Sequence, residues 1–95
     1  MQESSPQISD LRDLRKFEQK QLCDQNELEV GAFQLTERLL EKGGAPCGLF
    51  FCLHGPRSVK LTAIWETTRN KVLFYGSGGE RVQQIQLAGS PNLAR

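Results

Sequence analysis

The sequence predicts an α+β domain in which an N-terminal helical segment packs on a four-stranded antiparallel β-meander. Hydrophobic residues recur at three- and four-residue steps before Gly43 and Gly44, and they alternate with polar residues after Pro46. The connections between the alternating segments are short, which favours antiparallel neighbours over parallel crossovers. With 95 residues, of which 38% are hydrophobic, the chain fits one small globular domain.

The first helical segment is predicted to begin near Ser5 and Pro6, because proline is favoured at the first position of a helix. Its apolar positions spread over a broad face, which indicates contacts on two sides instead of a narrow coiled-coil seam. These positions are Ile8, Leu11, Leu14, Phe17 and Leu22.

A second helical segment is predicted to start at Asn26. Asn26 and Glu29 resemble a capping arrangement, and Gly43 suits the left-handed residue that follows a helix. Two helices and one bent helix over residues 8–42 both stay open, because nothing just after Cys23 forbids helical geometry. The apolar stripe of this segment consists of Leu28, Ala32, Leu35 and Leu39.

The β half contains four predicted strands with turn-rich connections. The glycine-rich run 76–79 is typical of a hairpin turn and lacks the Gly-x-x-x-x-Gly-Lys-[Ser/Thr] pattern of a phosphate-binding loop. The second strand alternates, as expected when one face is covered, whereas the first and third are apolar on both sides. Both faces of the sheet therefore need cover. The predicted strands are 48–53, 58–66, 71–75 and 81–87.

The predicted division is a flexible N-terminus over residues 1–7, one domain over residues 8–87 and a flexible tail over residues 88–95. Within the domain, residues 8–42 are expected to be helical and residues 47–87 to form the sheet. One core should join the helical stripe to the sheet. Its expected members are Leu28, Leu35, Leu39, Leu61, Trp65 and Phe74.

Charge and cysteine usage narrow the function classes. The formal net charge of +1 argues against a strong general attraction to nucleic acid or anionic membranes. The apolar run from Leu49 to Leu53 is far shorter than the roughly 20 residues that cross a bilayer. A polar start without a secretion signal, and an odd number of irregularly spaced cysteines, predict a cytoplasmic or nuclear protein with reduced thiols.

The candidates for metal binding or thiol chemistry are Cys47, Cys52 and His54. They lack the tight Cys-x-x-Cys spacing of zinc sites. The carboxylates of Asp10 and Asp13 fall on the presumed polar surface of the first helix, so no acid, base and nucleophile converge. The sequence therefore predicts a protein that is not an enzyme and holds no metal or cofactor.

The predicted function is that of a non-catalytic protein–protein interaction or assembly module, either self-associating or a subunit of a complex. A domain this small has few residues with which to hide two apolar sheet faces and a broad apolar helix. The residues expected to bind the partner are Leu11, Leu14, Phe17, Phe51, Leu73 and Tyr75.

The alternative function is that of a small RNA-binding domain that uses a basic and aromatic sheet face. It is the runner-up because the sequence signature of RNA-recognition sheets is absent, and because basic residues at strand ends also protect sheets from aggregation. The candidate nucleic-acid-binding residues are Arg57, Lys60, Arg69, Lys71 and Arg81.

Overall fold

A computed structural model of the protein describes residues 7–8 and 10–89. One α-helix packs on a five-stranded antiparallel sheet whose strands follow chain order. The α+β class and the antiparallel sheet are confirmed, and the sheet has five strands where four were predicted. None of the described helices is long and apolar enough to cross a membrane. The elements are α1 (Leu11–Gln25), β1 (Gln34–Lys42), β2 (Ala45–His54), β3 (Lys60–Glu66), β4 (Lys71–Tyr75) and β5 (Arg81–Gln86), with a 3-10 turn at Pro56–Ser58.

The helix α1 begins at Leu11 because Asp10 caps it. The Asp10 carboxylate accepts a hydrogen bond of 2.8 Å from the backbone N–H of Asp13, which satisfies one of the free donors of the first turn. Ile8 precedes the helix and is nevertheless buried in the core. The predicted helix start at residues 5–6 lies outside the described residues.

The end of α1 is a Schellman motif, a hydrogen-bonded stop that the sequence analysis did not predict. The N–H of Leu28 donates to the carbonyl of Cys23 at 2.8 Å, and the N–H of Glu27 donates to the carbonyl of Asp24 at 3.4 Å. Glu27 takes the left-handed conformation, with a φ of 57°. Asn26 therefore ends a helix, and its predicted role as the start of a second helix is wrong.

The second predicted helical segment is wrong in both its two-helix and its bent-helix form. Residues 34–42 form strand β1, which pairs with β2 along its whole length. Gly43 and Gly44, with φ of 61° and 82°, make a two-residue hairpin loop of the kind that needs two left-handed residues. The spacing was ambiguous, because residues four apart such as Leu35 and Leu39 share a face in a helix and also in a strand.

The hydrophobic core lies between α1 and one face of the sheet. Leu14 and Leu22 on the helix have no exposed surface. Phe17 packs edge-on against Phe74, with ring centroids 6.3 Å apart. The core residues of the sheet are Leu49, Phe51, Leu53, Leu61, Ala63, Trp65, Val72 and Phe74.

The predicted core is confirmed in β3 and β4 and only in part elsewhere. Leu61, Trp65 and Phe74 are buried, and Leu28 and Leu35 pack half-buried against the core. Leu39 is 44% exposed, because it lies on the edge strand and not on a covering helix.

Asn70 joins the turn between β3 and β4 to the end of the described chain. Its side-chain oxygen accepts a hydrogen bond of 3.0 Å from the Trp65 indole N–H, and its amide donates to the carbonyl of Gly89 at 2.8 Å. The Asn70 carbonyl accepts from the N–H of Leu87 at 3.0 Å. Asparagine suits this position because its φ is 53°. Most of the predicted flexible N-terminus and tail lies outside the described residues.

Candidate interaction surface

No described helix covers the sheet face opposite α1, which we call the open face. Strand register defines its members, because paired residues share a face and every second residue returns to it. One row runs across all five strands, from Arg38 through Phe50, Ile64 and Leu73 to Gln84. The apolar residues of the open face are Leu40, Phe50, Cys52, Ile64, Leu73 and Tyr75.

The centre of the open face is apolar and only partly shielded. Cys52 and Leu73 are 7% and 8% exposed, while Phe50, Ile64 and their neighbours are half-buried. The guanidinium carbon of Arg38 lies 5.3 Å from the centroid of the Phe50 ring, which is a cation–π contact. The most exposed large hydrophobic residues lie apart from this centre and from each other. They are Val30, Leu39 and Val82.

Charged residues surround this apolar centre. Lys60 stands at the first residue of β3 and Glu66 at its last, and Lys71 is the register partner of Glu66. Arg81 is the register partner of Tyr75. Near the Glu66 end, an open groove of about 420 Å³ has Leu40, Ile64, Glu66 and Arg69 among its lining residues.

Charge is segregated between the helical and the sheet parts of the chain. Residues 10–37 contain seven acidic and four basic residues, whereas residues 38–89 contain three acidic and seven basic residues. The near-neutral total therefore conceals a basic sheet.

The residues predicted to bind a partner divide between the interior and the open face. Leu14 and Phe51 have no exposed surface, so neither can contact a partner in this fold. Leu11 and Phe17 are half-buried and pack against the hydrophobic core, because the apolar face of α1 contacts the sheet of its own chain. The two that lie on the open face are Leu73 and Tyr75.

Three of the five basic residues predicted for nucleic-acid binding lie on the open face: Lys60, Lys71 and Arg81. Arg69 lines the adjoining groove. Arg57 lies apart in the 3-10 turn after β2, with a φ of 58°.

The two candidate cysteines and the histidine all lie on strand β2. His54 Nε2 lies 3.0 Å from the hydroxyl of Thr36, and Cys52 lies on the same face two residues earlier. Cys23 is buried in α1, where burial and the charge of Asp24 raise the pKa of its thiol. Within the described ranges, no group of three or more His, Cys, Asp or Glu residues is placed to hold a metal ion.

Sequence reasoning missed Arg38 and Leu40, which were assigned to a helix. The signal that could have found them is the pair Gly43 and Gly44, which is typical of a two-residue hairpin loop when strand-like segments flank it. Phe50 and Ile64 follow from the alternation of β2 and β3 once that hairpin is recognised.

A buried carboxyl group lies on the opposite side of the sheet, under α1. Glu18 has no exposed surface, and neither of its carboxylate oxygens finds a hydrogen-bond donor among the described residues. Burial raises the pKa of Glu18 well above its ordinary value. Arg15, one turn earlier, is engaged elsewhere, because its guanidinium binds Glu37 of β1 at 2.6 and 2.9 Å.

Comparisons with protein-family models, with curated proteins and with solved structures give no match for this chain.

Proposed function

We propose that this chain is a non-catalytic protein-interaction module and that the open face is its binding surface. The observation that carries the proposal is an apolar centre, including Phe50, Ile64 and Leu73, that no described helix covers. Burying such a surface against another apolar surface is favourable, because it removes apolar atoms from water. The three thiols are all free, which supports a cytoplasmic or nuclear location.

Binding of single-stranded RNA is the second candidate function, and one observation favours it. The open face carries two aromatic residues, Phe50 and Tyr75, together with the cations Lys60, Lys71 and Arg81. Stacking on aromatic rings beside cations is a common mode of single-strand recognition.

Site-specific photo-crosslinking in cells tests the proposal. A photoreactive amino acid replaces Leu40 on the open face or, in a matched control, the adjacent Leu39, which is 44% exposed on the other face. We expect discrete protein adducts from position 40 and few from position 39. A second change, Ile64→Gln, should abolish the adducts, because it places an amide in the apolar centre.

The nature of the adducts decides between the two functions. Adducts that persist after ribonuclease treatment support a protein partner, whether a second copy of this chain or a different protein. Adducts that ribonuclease removes, or equal labelling from positions 39 and 40, would overturn the proposal.

A further inference from the structure

The dimensions of the open face suit a helix, and this step rests on the proposed function. Neighbouring strands lie about 4.8 Å apart, so the row from Arg38 to Gln84 spans about 19 Å. Along β3, Lys60 and Glu66 are separated by about 20 Å at about 3.4 Å per residue. A helix of about 13 residues has that length at 1.5 Å per residue. On the other face, α1 covers the same sheet with 15 residues.

A partner strand added to the free edge of β1 is the less favourable mode. This edge strand carries four charged side chains among its nine residues, and charges on an edge strand protect it against pairing with another strand. The charged residues of β1 are Glu37, Arg38, Glu41 and Lys42.

The charges of the open face select an acidic partner. Arg38 lies at one side of the apolar centre, and Lys60 and Lys71 lie at opposite ends of it. Glu66 faces Lys71 across the strand pair and offsets one of these cations. Two copies that met open face to open face would oppose cation to cation, which disfavours that dimer.

The centre of the face favours a protein over RNA. Ile64 and Leu73 continue the row of Phe50 across the next two strands and offer no flat ring on which a base can stack. One of the two rings, that of Phe50, is already engaged by the Arg38 guanidinium. Aliphatic side chains of a helix match this centre, as they do in other helix-in-groove complexes.

We propose that the open face binds an acidic amphipathic helix of about 13 residues contributed by a partner protein. Apolar residues at helical spacing lie on Phe50, Ile64 and Leu73, and flanking carboxylates pair with Arg38, Lys60 and Lys71.

A designed peptide probe tests this proposal. The probe is a 14-residue helix with leucine at one face and glutamate elsewhere, a length set by the estimate of about 13 residues. One control peptide has the same composition in scrambled order, and the other has lysine in place of every glutamate. Binding to the full chain is measured by fluorescence anisotropy of a labelled peptide.

We expect saturable binding of the acidic amphipathic peptide, weakened by salt because exposed charges are screened. The double variant R38E/K71E should weaken it at least about fivefold, from the worth of two exposed ion pairs. The matched control R12E/K16E changes exposed residues of α1 and should leave binding unchanged. Native Trp65 emission is checked in every variant, so that loss of fold is not taken for loss of contact.

Three results would overturn the proposal: equal binding of the scrambled peptide, stronger binding of the lysine peptide, or displacement of the probe by poly-uridine RNA. If ribonuclease-resistant adducts still form at position 40 while the peptide fails, the proposed function stands and the acidic helix is wrong. If both fail, the interaction module itself is wrong.

Discussion

Glu18 sets an uncompensated carboxyl group in the interface between α1 and the sheet. Leu14 and Leu22, one turn away on either side, are apolar and fully buried, so the carboxyl group lies on the docking face of the helix. Leaving a buried polar group unsatisfied costs about 1–3 kcal/mol. Replacement with methionine, which is of similar length and apolar, should therefore stabilise the protein by a similar amount at neutral pH.

The same residue makes stability depend on pH. Because burial raises the folded-state pKa of Glu18, the native protein binds its proton more tightly than the unfolded chain does. The stability that this tighter proton binding contributes is fully present below the ordinary glutamate pKa. It is lost as the pH rises through the folded-state pKa of Glu18. Denaturant titrations across this range should show wild-type stability falling with pH, and a flatter profile for Glu18→Met.

A control separates the effect of Glu18 from that of other ionisable groups on this side of the sheet. The ion pair of Arg15 and Glu37 and the buried thiol of Cys23 are unchanged in the variant. Glu29→Met, at an exposed position, should leave the pH profile as in the wild type. An equal slope in wild type and Glu18→Met would show that the buried carboxyl is not its source.

The sequence predicted the positions of some individual residues and not of others. The alternation in β3 assigned Leu61 and Trp65 to the core correctly, and Phe74 of β4 is buried as predicted. Leu39 was placed on a helical stripe, although it and its neighbour Leu40 point to opposite faces of the sheet. Apolar spacing alone does not separate a strand from a helix in so short a segment.

The helix α1 ends where one residue is held in an unfavourable backbone conformation. Glu27 occupies the left-handed position of the Schellman motif, which glycine adopts without steric cost. We expect Glu27→Gly to stabilise the protein by about 0.5–1 kcal/mol, since relief of about 1–2 kcal/mol of strain exceeds the entropy that glycine adds to the unfolded chain.

A matched glycine substitution checks this explanation by thermal or denaturant unfolding. Glu29 is exposed and is not among the described residues with positive φ, so Glu29→Gly should bring no such gain and should cost a little through chain entropy. If Glu27→Gly instead lost as much stability as Glu29→Gly, the backbone of Glu27 would not be strained.

The local sequence does not mark the end of α1 clearly. An Asn-Glu-Leu segment has no glycine to mark a stop, so local propensity permits a helix to continue through residues 26–28. Pairing of β1 with β2 decides against it, because nine residues of strand ladder close around the Gly43–Gly44 loop. Tertiary pairing of this kind overrides local propensity.

The two faces of the sheet have different roles. One face is closed by α1, and the other carries cations around a half-buried apolar centre. The sequence predicted an antiparallel sheet whose two faces both need cover, and the antiparallel sheet is confirmed. It did not predict which elements lie where, because the register that gathers Arg38, Phe50 and Ile64 depends on strand pairing over long separations.

The docking of α1 on the sheet determines how cooperatively the protein unfolds. Leu14 and Leu22 cover the same core that contains Trp65, which is 1% exposed, so the helix and the sheet should unfold in one transition. Helical circular dichroism and Trp65 fluorescence, followed in one denaturant titration, should give coincident midpoints. Leu14→Ala should lower both midpoints equally and reduce the free energy of unfolding by about 2–5 kcal/mol. The exposed control Leu39→Ala should reduce it by less than about 1 kcal/mol. A helical signal lost at lower denaturant than the Trp65 signal would instead make α1 a separately detachable cover, held weakly because Glu18 lies in its docking face.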